Sequence, residues 1–193
     1  MIQKKLDEMY DSLLRENGGL FCESEIVNGK KDFLMKKQPK VFFIASTGGH
    51  LHQLLALSPL FSKYDSYIFT EKTNSTRILK NSFCNRMHYF IFGSRVHLFT
   101  FLFKFSCNIL LSFYYFFRYT PDFVVTTGTH TAVPMCYIAH LFGKKVIYIE
   151  TRSSFSKITK AGQLVYKKAD LFVIQRKSLQ SLVPKAVLCE VEE

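Results

Sequence analysis

The chain has 193 residues, of which 48% are hydrophobic, so it is long enough for one domain with a substantial core. Its formal net charge of +11 indicates an anionic partner, which could be nucleic acid, an acidic membrane surface or a phosphorylated substrate. Nucleic acid is disfavoured, because the sequence contains no recognised nucleic-acid-binding motif and its 20 Phe residues cluster in apolar runs instead of alternating with Lys and Arg.

The cysteines and the N-terminal residues indicate an intracellular protein. The 5 cysteines are widely spaced and include no CxxC pair, so neither a disulfide framework nor a zinc site is expected. The first eight residues, MIQKKLDE, contain neither an apolar core nor a small-residue cleavage site, which a secretory signal would need. We therefore expect the chain to reside in the cytoplasm.

Residues 1–38 form a predicted N-terminal extension to a main domain of residues 39–193. Apolar residues recur at helical spacing from Ile2 to Leu14, and Asn17-Gly18-Gly19 is a suitable helix stop, so an amphipathic helix is predicted there. Asn28-Gly29 then favours either a small hairpin or a charged linker that continues to Pro39.

From Lys40 onward, short apolar runs alternate with segments of helical periodicity. This alternation is typical of a parallel sheet with crossover helices, and it predicts an α/β fold with a Rossmann-like three-layer architecture. Six strands are predicted, at Val41–Ser46, Ser66–Thr70, His88–Phe92, Phe123–Thr127, Lys145–Glu150 and Leu171–Gln175. The predicted helices are His50–Leu57, Thr73–Asn81, about Val96–Arg118, Thr131–Phe142 and Gly162–Lys168.

A glycine turn after the first predicted strand indicates a ligand site. The apolar run Val41–Ala45 continues through Ser46-Thr47-Gly48-Gly49 into a helix start at His50. Paired glycines allow a sharp turn and close approach of a ligand, and a helix N-terminus favours negative charge, so phosphate is a suitable guest. The alternative is a tight strand-to-helix turn that binds no ligand.

Ligands of such sheets bind beyond the carboxyl ends of the strands. That rule places the residues at or directly after the ends of five predicted strands on one rim of the sheet, where they are candidates for a binding site. They are Thr47–His50, Glu71, Thr127–Thr131, Glu150–Arg152 and Gln175.

The long helix near residues 96–118 is apolar enough to suggest a membrane span. Its segment Leu98–Phe117 would be roughly 30 Å long, about the thickness of a bilayer core. However, the strands before and after it have to join one sheet, and a single crossing would leave them on opposite sides of the membrane. The sheet prediction therefore excludes a simple span.

The same helix carries a narrow polar stripe, with a polar residue at every fourth position: Thr100, Lys104, Asn108 and Ser112. Basic ends, a narrow polar face and a broad aromatic surface favour a helix that lies in the membrane interface. The alternative is a core helix whose remaining apolar face packs on a partner. The residues expected to contact the membrane are Arg95, Phe99, Phe103, Lys104 and Arg118.

Six motifs in this order resemble the Alg14 family and its bacterial capsule and exopolysaccharide relatives, the PssD and Cps14F type glycosyltransferase subunits. The motifs are Ser46–His50, Thr126–Pro134, Tyr148–Arg152, Gly162–Tyr166, Ala169-Asp170 and Gln175. The resemblance covers roughly Lys40 to Val187. It departs from the family pattern at Arg176, where relatives usually carry a Trp, and the sequence contains no Trp.

The resemblance implies the N-terminal, acceptor-binding half of a GT-B glycosyltransferase, bound peripherally or monotopically to the cytoplasmic face of the plasma membrane. It also implies a partner, an Alg13-like or PssE-like catalytic subunit that holds most of the nucleotide-sugar site. The expected reaction transfers a sugar, with inversion, from a UDP-sugar to a lipid-diphosphate-linked saccharide in capsule or exopolysaccharide biosynthesis. No cofactor besides the UDP-sugar donor and no metal is expected.

Glycosyl transfer needs a base near the acceptor hydroxyl, and N–H or positive groups for the departing diphosphate. His50 is the candidate base, and its alternative role is a hydrogen-bonding cap of the glycine turn. Glu150 is the second candidate catalytic residue. A carboxylate at the end of an apolar strand is costly unless solvated or paired, so Glu150 would hold a sugar hydroxyl or pair with Arg152.

The second strand-to-helix turn, around Gly128, offers small residues that leave room for a sugar or diphosphate. Thr131 could cap the following helix, and Pro134 is tolerated only in its first turn. The residues expected to bind substrate are Thr47, Gly48, Gly49, Thr127, Gly128, Thr129, Arg152 and Gln175.

Two other functions stay open at this point. One is a non-catalytic membrane anchor that recruits and activates an Alg13/PssE-like catalytic subunit. The other is a stand-alone nucleotide-binding Rossmann protein, which would bind a UDP-sugar without a partner.

Overall fold

A computed structural model describes residues 38–83, 86–93 and 98–189. The predicted N-terminal extension lies outside these residues, except for its last position, Gln38. Arg95, one of the predicted membrane contacts, also lies outside them.

The described residues form a parallel sheet of seven strands in the order β3-β2-β1-β4-β5-β6-β7. The predicted Rossmann-like α/β fold is therefore confirmed, and all six predicted strands are present. A seventh, two-residue strand was not predicted, because so short a run carries no periodicity. The strands are β1 Lys40–Ile44, β2 Asp65–Glu71, β3 Met87–Phe90, β4 Phe123–Thr126, β5 Lys145–Ile149, β6 Leu171–Ile174 and β7 Val187–Leu188.

The helices are α1 Gly49–Leu55, α2 Ser58–Phe61, α3 Asn74–Phe83, α4 Leu98–Tyr119, α5 Val133–Leu141 and α6 Lys160–Val165. Pro134 lies in the first turn of α5, as predicted. The capping prediction for Thr131 is wrong, since the side chain of Thr129 accepts the N–H of Thr131 at 3.4 Å and caps a short 3₁₀ turn before α5. α6 begins two residues earlier than predicted, because the Thr159 side chain caps it by accepting the Gly162 N–H at 3.0 Å.

Both faces of the sheet are covered, so its central strands are buried along nearly their whole length. Right-handed crossovers place α1–α3 on one face and α4–α6 on the other. Alternate residues of β1 follow this division: the ring of Phe43 packs on Phe61 of α2, and the ring of Phe42 packs on Tyr119 of α4. The largest apolar cluster lies on the α4–α6 face, and it includes Phe116.

Part of the polar stripe of α4 faces the sheet, since Asn108 and Ser112 are buried. The Asn108 Oδ1 accepts the Ile91 N–H at 2.8 Å, its Nδ2 donates to the Ile91 carbonyl at 3.0 Å, and Ser112 donates to the Asn108 carbonyl at 2.8 Å. Asn108 thus satisfies the backbone groups of Ile91 where β3 ends, and the opposite face of α4 is left outside.

That outer surface is almost wholly apolar. Phe99 and Phe103 expose 88% and 72% of their surface, and the exposed face continues along the helix with Leu102, Leu110, Phe113, Tyr114 and Phe117. Within the described residues, Phe99–Tyr119 is one helix that is long and apolar enough to cross a membrane. Because β3 precedes α4 and β4 follows it in one sheet, the helix returns the chain to the same side.

Strand order reverses between β1 and β4, which makes their carboxyl ends the switch point of the sheet. From β1 the chain moves outward through β2 to β3, and it then crosses to β4 on the other side of β1. At such a switch point the loops after the two strands lead to opposite faces of the sheet, and ligands bind in the crevice between them in folds of this type.

Candidate functional site

The glycine turn after β1 forms one wall of this crevice. Gly48 has a φ of +72°, a conformation that residues with a side chain rarely adopt, and it precedes the first residue of α1. A Cβ at either Gly48 or Gly49 would meet no atom within 4 Å. The two glycines therefore face open space, and crowding by the protein does not explain their small size.

His50 joins the two turns across the switch point. Its Nδ1 lies 2.7 Å from the carbonyl oxygen of Thr127, and the hydroxyl of Thr127 donates to the carbonyl of His50 at 2.7 Å. A carbonyl can only accept, so Nδ1 carries the proton. In the neutral imidazole, the lone pair is then on Nε2, which has no hydrogen-bond partner among the described residues. This tautomer can accept a proton at Nε2.

The backbone conformation and close packing of the turn after β4 require a glycine at position 128. Its φ is +87°, and a Cβ there would lie 3.2 Å from the Tyr148 hydroxyl and 3.3 Å from the Ile149 carbonyl. The glycine lets the β4 turn pack closely against the end of β5. Its predicted contact with substrate stays a prediction, but it is not needed to explain why this residue is Gly.

Glu71, at the end of β2, was predicted from the sequence as a rim residue without a stated role, and the structure shows its contacts. Its carboxyl group is buried and accepts hydrogen bonds from the Thr131 hydroxyl at 2.5 Å and from the Thr47 N–H. His130 Nε2 lies 3.7 Å from Oε1. Burial raises the pKa of Glu71, and these two hydrogen bonds oppose the rise. Glu71 thus hydrogen-bonds to both the β1 turn and the β4 turn and fixes their positions relative to each other.

Glu150 is fully buried, and its carboxyl group is enclosed by the loop that follows β5. Oε1 accepts the Thr151 N–H at 3.1 Å and the Ser154 hydroxyl at 3.0 Å, and Oε2 accepts the Thr159 hydroxyl at 3.1 Å. A Cβ at Gly162 would overlap with Oε2, so α6 closes directly over the carboxyl group. Burial raises the pKa of Glu150, and the bonds from Ser154 and Thr159 oppose the rise.

This geometry corrects the expected partner of Glu150. No ion pair joins it to Arg152 within the described ranges, and the Arg152 side chain is exposed. Because Glu150 is 0% exposed, its carboxyl group presents no oxygen atom to the rim in this conformation. The contacts of Glu150 suit a residue that positions the loop better than one that touches substrate.

Gln175 and Arg176 lie directly after β6 and donate hydrogen bonds to the same loop. The Nε2 of Gln175 donates to the carbonyl of Glu150 at 2.8 Å. Arg176 donates from Nε to the carbonyl of Arg152 at 2.9 Å, and its guanidinium group lies 3.8 Å from the centre of the Phe155 ring. Arg176 therefore stacks on an aromatic ring, as a planar cation can.

The structure thus divides the predicted site residues into two groups. Thr47, Gly48, Gly49, His50, Thr127, Gly128 and Thr129 meet where β1 and β4 end, whereas Glu150, Arg152 and Gln175 belong to the loops after β5 and β6. Gln53 connects the groups, since its Nε2 donates to the Thr151 hydroxyl at 3.3 Å. In the part of the chain that the structure describes, no group of three or more His, Cys, Asp or Glu side chains could hold a metal ion; independence of metal stays a prediction.

Comparisons with known proteins agree with the fold and identify the family. A family profile described as "Oligosaccharide biosynthesis protein Alg14 like" matches residues 41–190. The chain is 35% identical over 86 residues to the UDP-N-acetylglucosamine transferase subunit ALG14 of Homo sapiens, and 34% identical over 86 residues to the Rattus norvegicus protein. Each match covers 42% of this chain and 40% of the relative, so the chain spans less than half the length of these relatives.

Solved structures resemble the fold. MurG from Acinetobacter baumannii superimposes with a TM-score of 0.59 at 18% identity, over 72% of this chain and 42% of that one. A UDP-GlcNAc 2-epimerase from Methanocaldococcus jannaschii gives a TM-score of 0.57 at 14% identity, over 76% of this chain and 42% of that one. The predicted equivalence to one half of a GT-B fold is therefore confirmed. By its sequence profile and its fold, this chain belongs to the Alg14-like family of oligosaccharide biosynthesis proteins.

Proposed function

We propose that this chain is the membrane-associated subunit of a two-component glycosyltransferase. The reaction is transfer of a sugar from a UDP-sugar to a lipid-diphosphate-linked saccharide, in the biosynthesis of a capsule or exopolysaccharide. The observation that carries the proposal is the crevice between the β1 and β4 turns, where the Thr127 carbonyl fixes the tautomer of His50 beside two unobstructed glycines.

A partner subunit is supported by the relatives of this chain. The described domain corresponds to 42% of the MurG chain, and the human relative is named a transferase subunit. An Alg13-like or PssE-like catalytic subunit would supply the other half, with most of the UDP-sugar site. The crevice of this chain would then hold the acceptor, and no cofactor beyond the sugar donor is needed.

We assign His50 as the base that accepts the proton of the acceptor hydroxyl at Nε2. Thr47, Gly48, Gly49 and Thr129 would line the substrate, and exposed Arg152 would reach a phosphate group from the neighbouring loop. Glu71 and Glu150 are positioning residues: Glu71 joins the two turns, and Glu150 orders the loop that carries Arg152.

Membrane association is assigned to α4. Its outer face exposes Phe99, Phe103 and Arg118, and half-buried Lys104 lies beside that face. This arrangement suits a helix that lies in the interface with its basic side chains at the head groups. Because α4 returns the chain to the same side, attachment would be monotopic, on the cytoplasmic face.

The test is sugar transfer in membranes with three samples: this chain, its PssE-like partner, and both together. With radiolabelled UDP-sugars and extracted lipid acceptor, we expect label in the lipid fraction only when both chains are present. Label from the partner without this chain, at the same rate as with the pair, would contradict a shared active site.

One observation favours the second candidate, a non-catalytic anchor that activates the partner. The carboxyl group of Glu150 is fully enclosed, so His50 is the one predicted catalytic residue left at the crevice. An anchor would tolerate loss of His50. Unchanged turnover of a His50→Ala complex would establish the anchor in place of the shared site.

A further inference from the structure

A groove of about 560 Å³ follows the free edge of β3, away from the crevice at the switch point. β3 is the outermost strand of the described sheet, and α3 and α4 flank it on opposite faces. The strand supplies the floor of the groove with the segment 87–92, and side chains from the two flanking helices and from the end of β2 complete it.

Three lysines line this groove: Lys72 after β2, Lys80 on α3 and Lys104 on α4. None of the three takes part in an ion pair among the described residues, and no Asp or Glu lines the groove. Three uncompensated positive charges around one concave surface attract a compact anion. Lysine can bind phosphate, because its ammonium group is a point charge with three donors.

A fourth polar group also lacks a partner in the part of the chain that the structure describes. His88 lies in the floor of the groove, and its buried Nε2 makes no hydrogen bond to any described residue. Its ring packs against Tyr67, Phe69, Tyr115 and Tyr119, so the aromatic contacts hold it in place.

The groove opens beside apolar surface. Phe92, which lines it, is exposed, and Lys104 directly follows Phe103 on the outer face of α4. A cationic pocket that borders exposed aromatic rings matches an amphiphile, with its charged head in the pocket and its acyl chains against the rings.

An extended acidic peptide that adds a strand to β3 fits less well. Strand addition needs the free N–H and C=O groups of the edge strand. The N–H and C=O of Ile91 are both bonded to the Asn108 side chain, which closes the end of this edge to a new strand.

We propose that the groove binds the phosphate headgroup of an anionic phospholipid, with Lys72, Lys80 and Lys104 around the phosphate. The inference rests on the proposed membrane contact of α4 and adds a site and a lipid class to it. It assigns no part in sugar transfer to the groove.

The test is binding of the full chain to vesicles of phosphatidylcholine, with and without phosphatidylglycerol, at about 0.15 M salt. The native chain should bind the anionic vesicles more tightly. Each lysine at an anionic surface contributes about fivefold to the binding constant, so Lys72→Gln, Lys80→Gln and Lys104→Gln together should weaken binding to anionic vesicles roughly a hundredfold. Binding to phosphatidylcholine should not change.

The matched control removes three exposed lysines near the amino ends of the strands: Lys63→Gln, Lys167→Gln and Lys185→Gln. The control has the same net charge, and its binding to anionic vesicles should fall by less than tenfold. Equal losses in the two triple variants would show that total charge and not the groove recruits the lipid, and would overturn the inference. Circular dichroism of both variants checks that they fold.

Soluble ligands test whether the groove binds a free phosphate or an acidic peptide instead of a lipid headgroup. Glycerol phosphate that binds as tightly as the lipid, or an acidic peptide that displaces the vesicles from the groove, would overturn the lipid assignment. Binding to phosphatidylcholine without any gain from phosphatidylglycerol would refute the groove and leave the membrane contact of α4 intact. Failure to bind either vesicle would refute both.

Discussion

At the residue scale, His50 is held by a backbone carbonyl and not by a carboxylate. The Thr127 carbonyl oxygen, 2.7 Å from Nδ1, orients the ring and fixes its tautomer, but it cannot take up a proton. Any proton accepted at Nε2 must therefore leave from the same atom, which suits a base that acts once per turnover and is reset by solvent.

We predict that His50→Ala lowers the transfer rate of the two-chain complex about a hundredfold or more, because a positioned base contributes that much. The matched control is His52→Ala, since His52 is an exposed histidine on the same helix. Rates and partner binding should both be measured. Equal activity of the two variants, with intact complexes, would remove His50 from the mechanism.

Two buried carboxyl groups, Glu71 and Glu150, end β2 and β5 in the same way. Each accepts hydrogen bonds from hydroxyl and N–H groups of nearby turns. Burial raises the pKa of both groups in the folded chain above its unfolded value. Between those two pKa values the folded state binds more protons than the unfolded state, so the free energy of unfolding falls as pH rises through that window.

The pH dependence of stability tests this directly. Starting near pH 4.5, the unfolded pKa, the native chain should lose stability toward neutral pH, and the loss should be smaller in Glu150→Gln and smaller still with Glu71→Gln added. Urea midpoints at a series of pH values give the slopes. Identical slopes for the native chain and the double variant would show that neither group carries a raised pKa.

At the element scale, α4 buries two polar residues, Asn108 and Ser112, and leaves a row of apolar and aromatic residues exposed. Asn108 completes the hydrogen bonds of Ile91 where β3 ends, and Phe116 packs into the core from the same side of the helix. The outer face contributes little to the packing of the domain, so it is free to meet lipid.

Two substitutions on this helix should affect different properties, one the stability of the domain and the other its binding to membranes. Asn108→Ala should lower the free energy of unfolding by about 1–3 kcal/mol, because it leaves backbone groups of Ile91 without partners. Phe103→Ser should change it by less than about 0.5 kcal/mol, since Phe103 is exposed, but should weaken binding to phosphatidylcholine vesicles. A stability loss in Phe103→Ser as large as that in Asn108→Ala would mean that the aromatic face packs against protein.

At the scale of the whole molecule, the sheet decides how α4 can meet a membrane. β3 and β4, which precede and follow the helix, belong to one hydrogen-bonded sheet, with β2 and β1 between them. A parallel sheet cannot be split by a bilayer, so both ends of α4 have to be on the same side.

Cysteine labelling tests this arrangement. Ser75→Cys, before α4, and Ser181→Cys, after it, introduce exposed thiols into a background with Cys22, Cys84 and Cys107 replaced by Ser. An impermeant maleimide should label both positions from the cytoplasmic side of oriented membrane vesicles and neither from the other side. Labelling of the two positions from opposite sides would require a crossing helix and would refute the monotopic attachment.

Much of the fold follows from local pattern. The runs Val41–Ile44 and Val146–Ile149 are apolar because they are covered on both faces, and their short length and flanking turn residues identify them as buried parallel strands. The positions of the glycine turn and of the rim residues follow from where the predicted strands end. Strand β7 was missed because two residues have no period, and α6 was misplaced because the Thr159 cap precedes its apolar residues.

The sequence by itself determined the fold class, the family resemblance and the rim on which the candidate site lies, because periodicity and short motifs are local properties. Only the tertiary structure decided which polar groups are buried and hydrogen-bonded. Glu71, Glu150 and Asn108 are polar residues beside apolar runs, a pattern that suits either a solvated site or a satisfied buried group. The partners that distinguish the two outcomes, Thr131, Thr159 and Ile91, come from other segments of the chain and meet them only after folding.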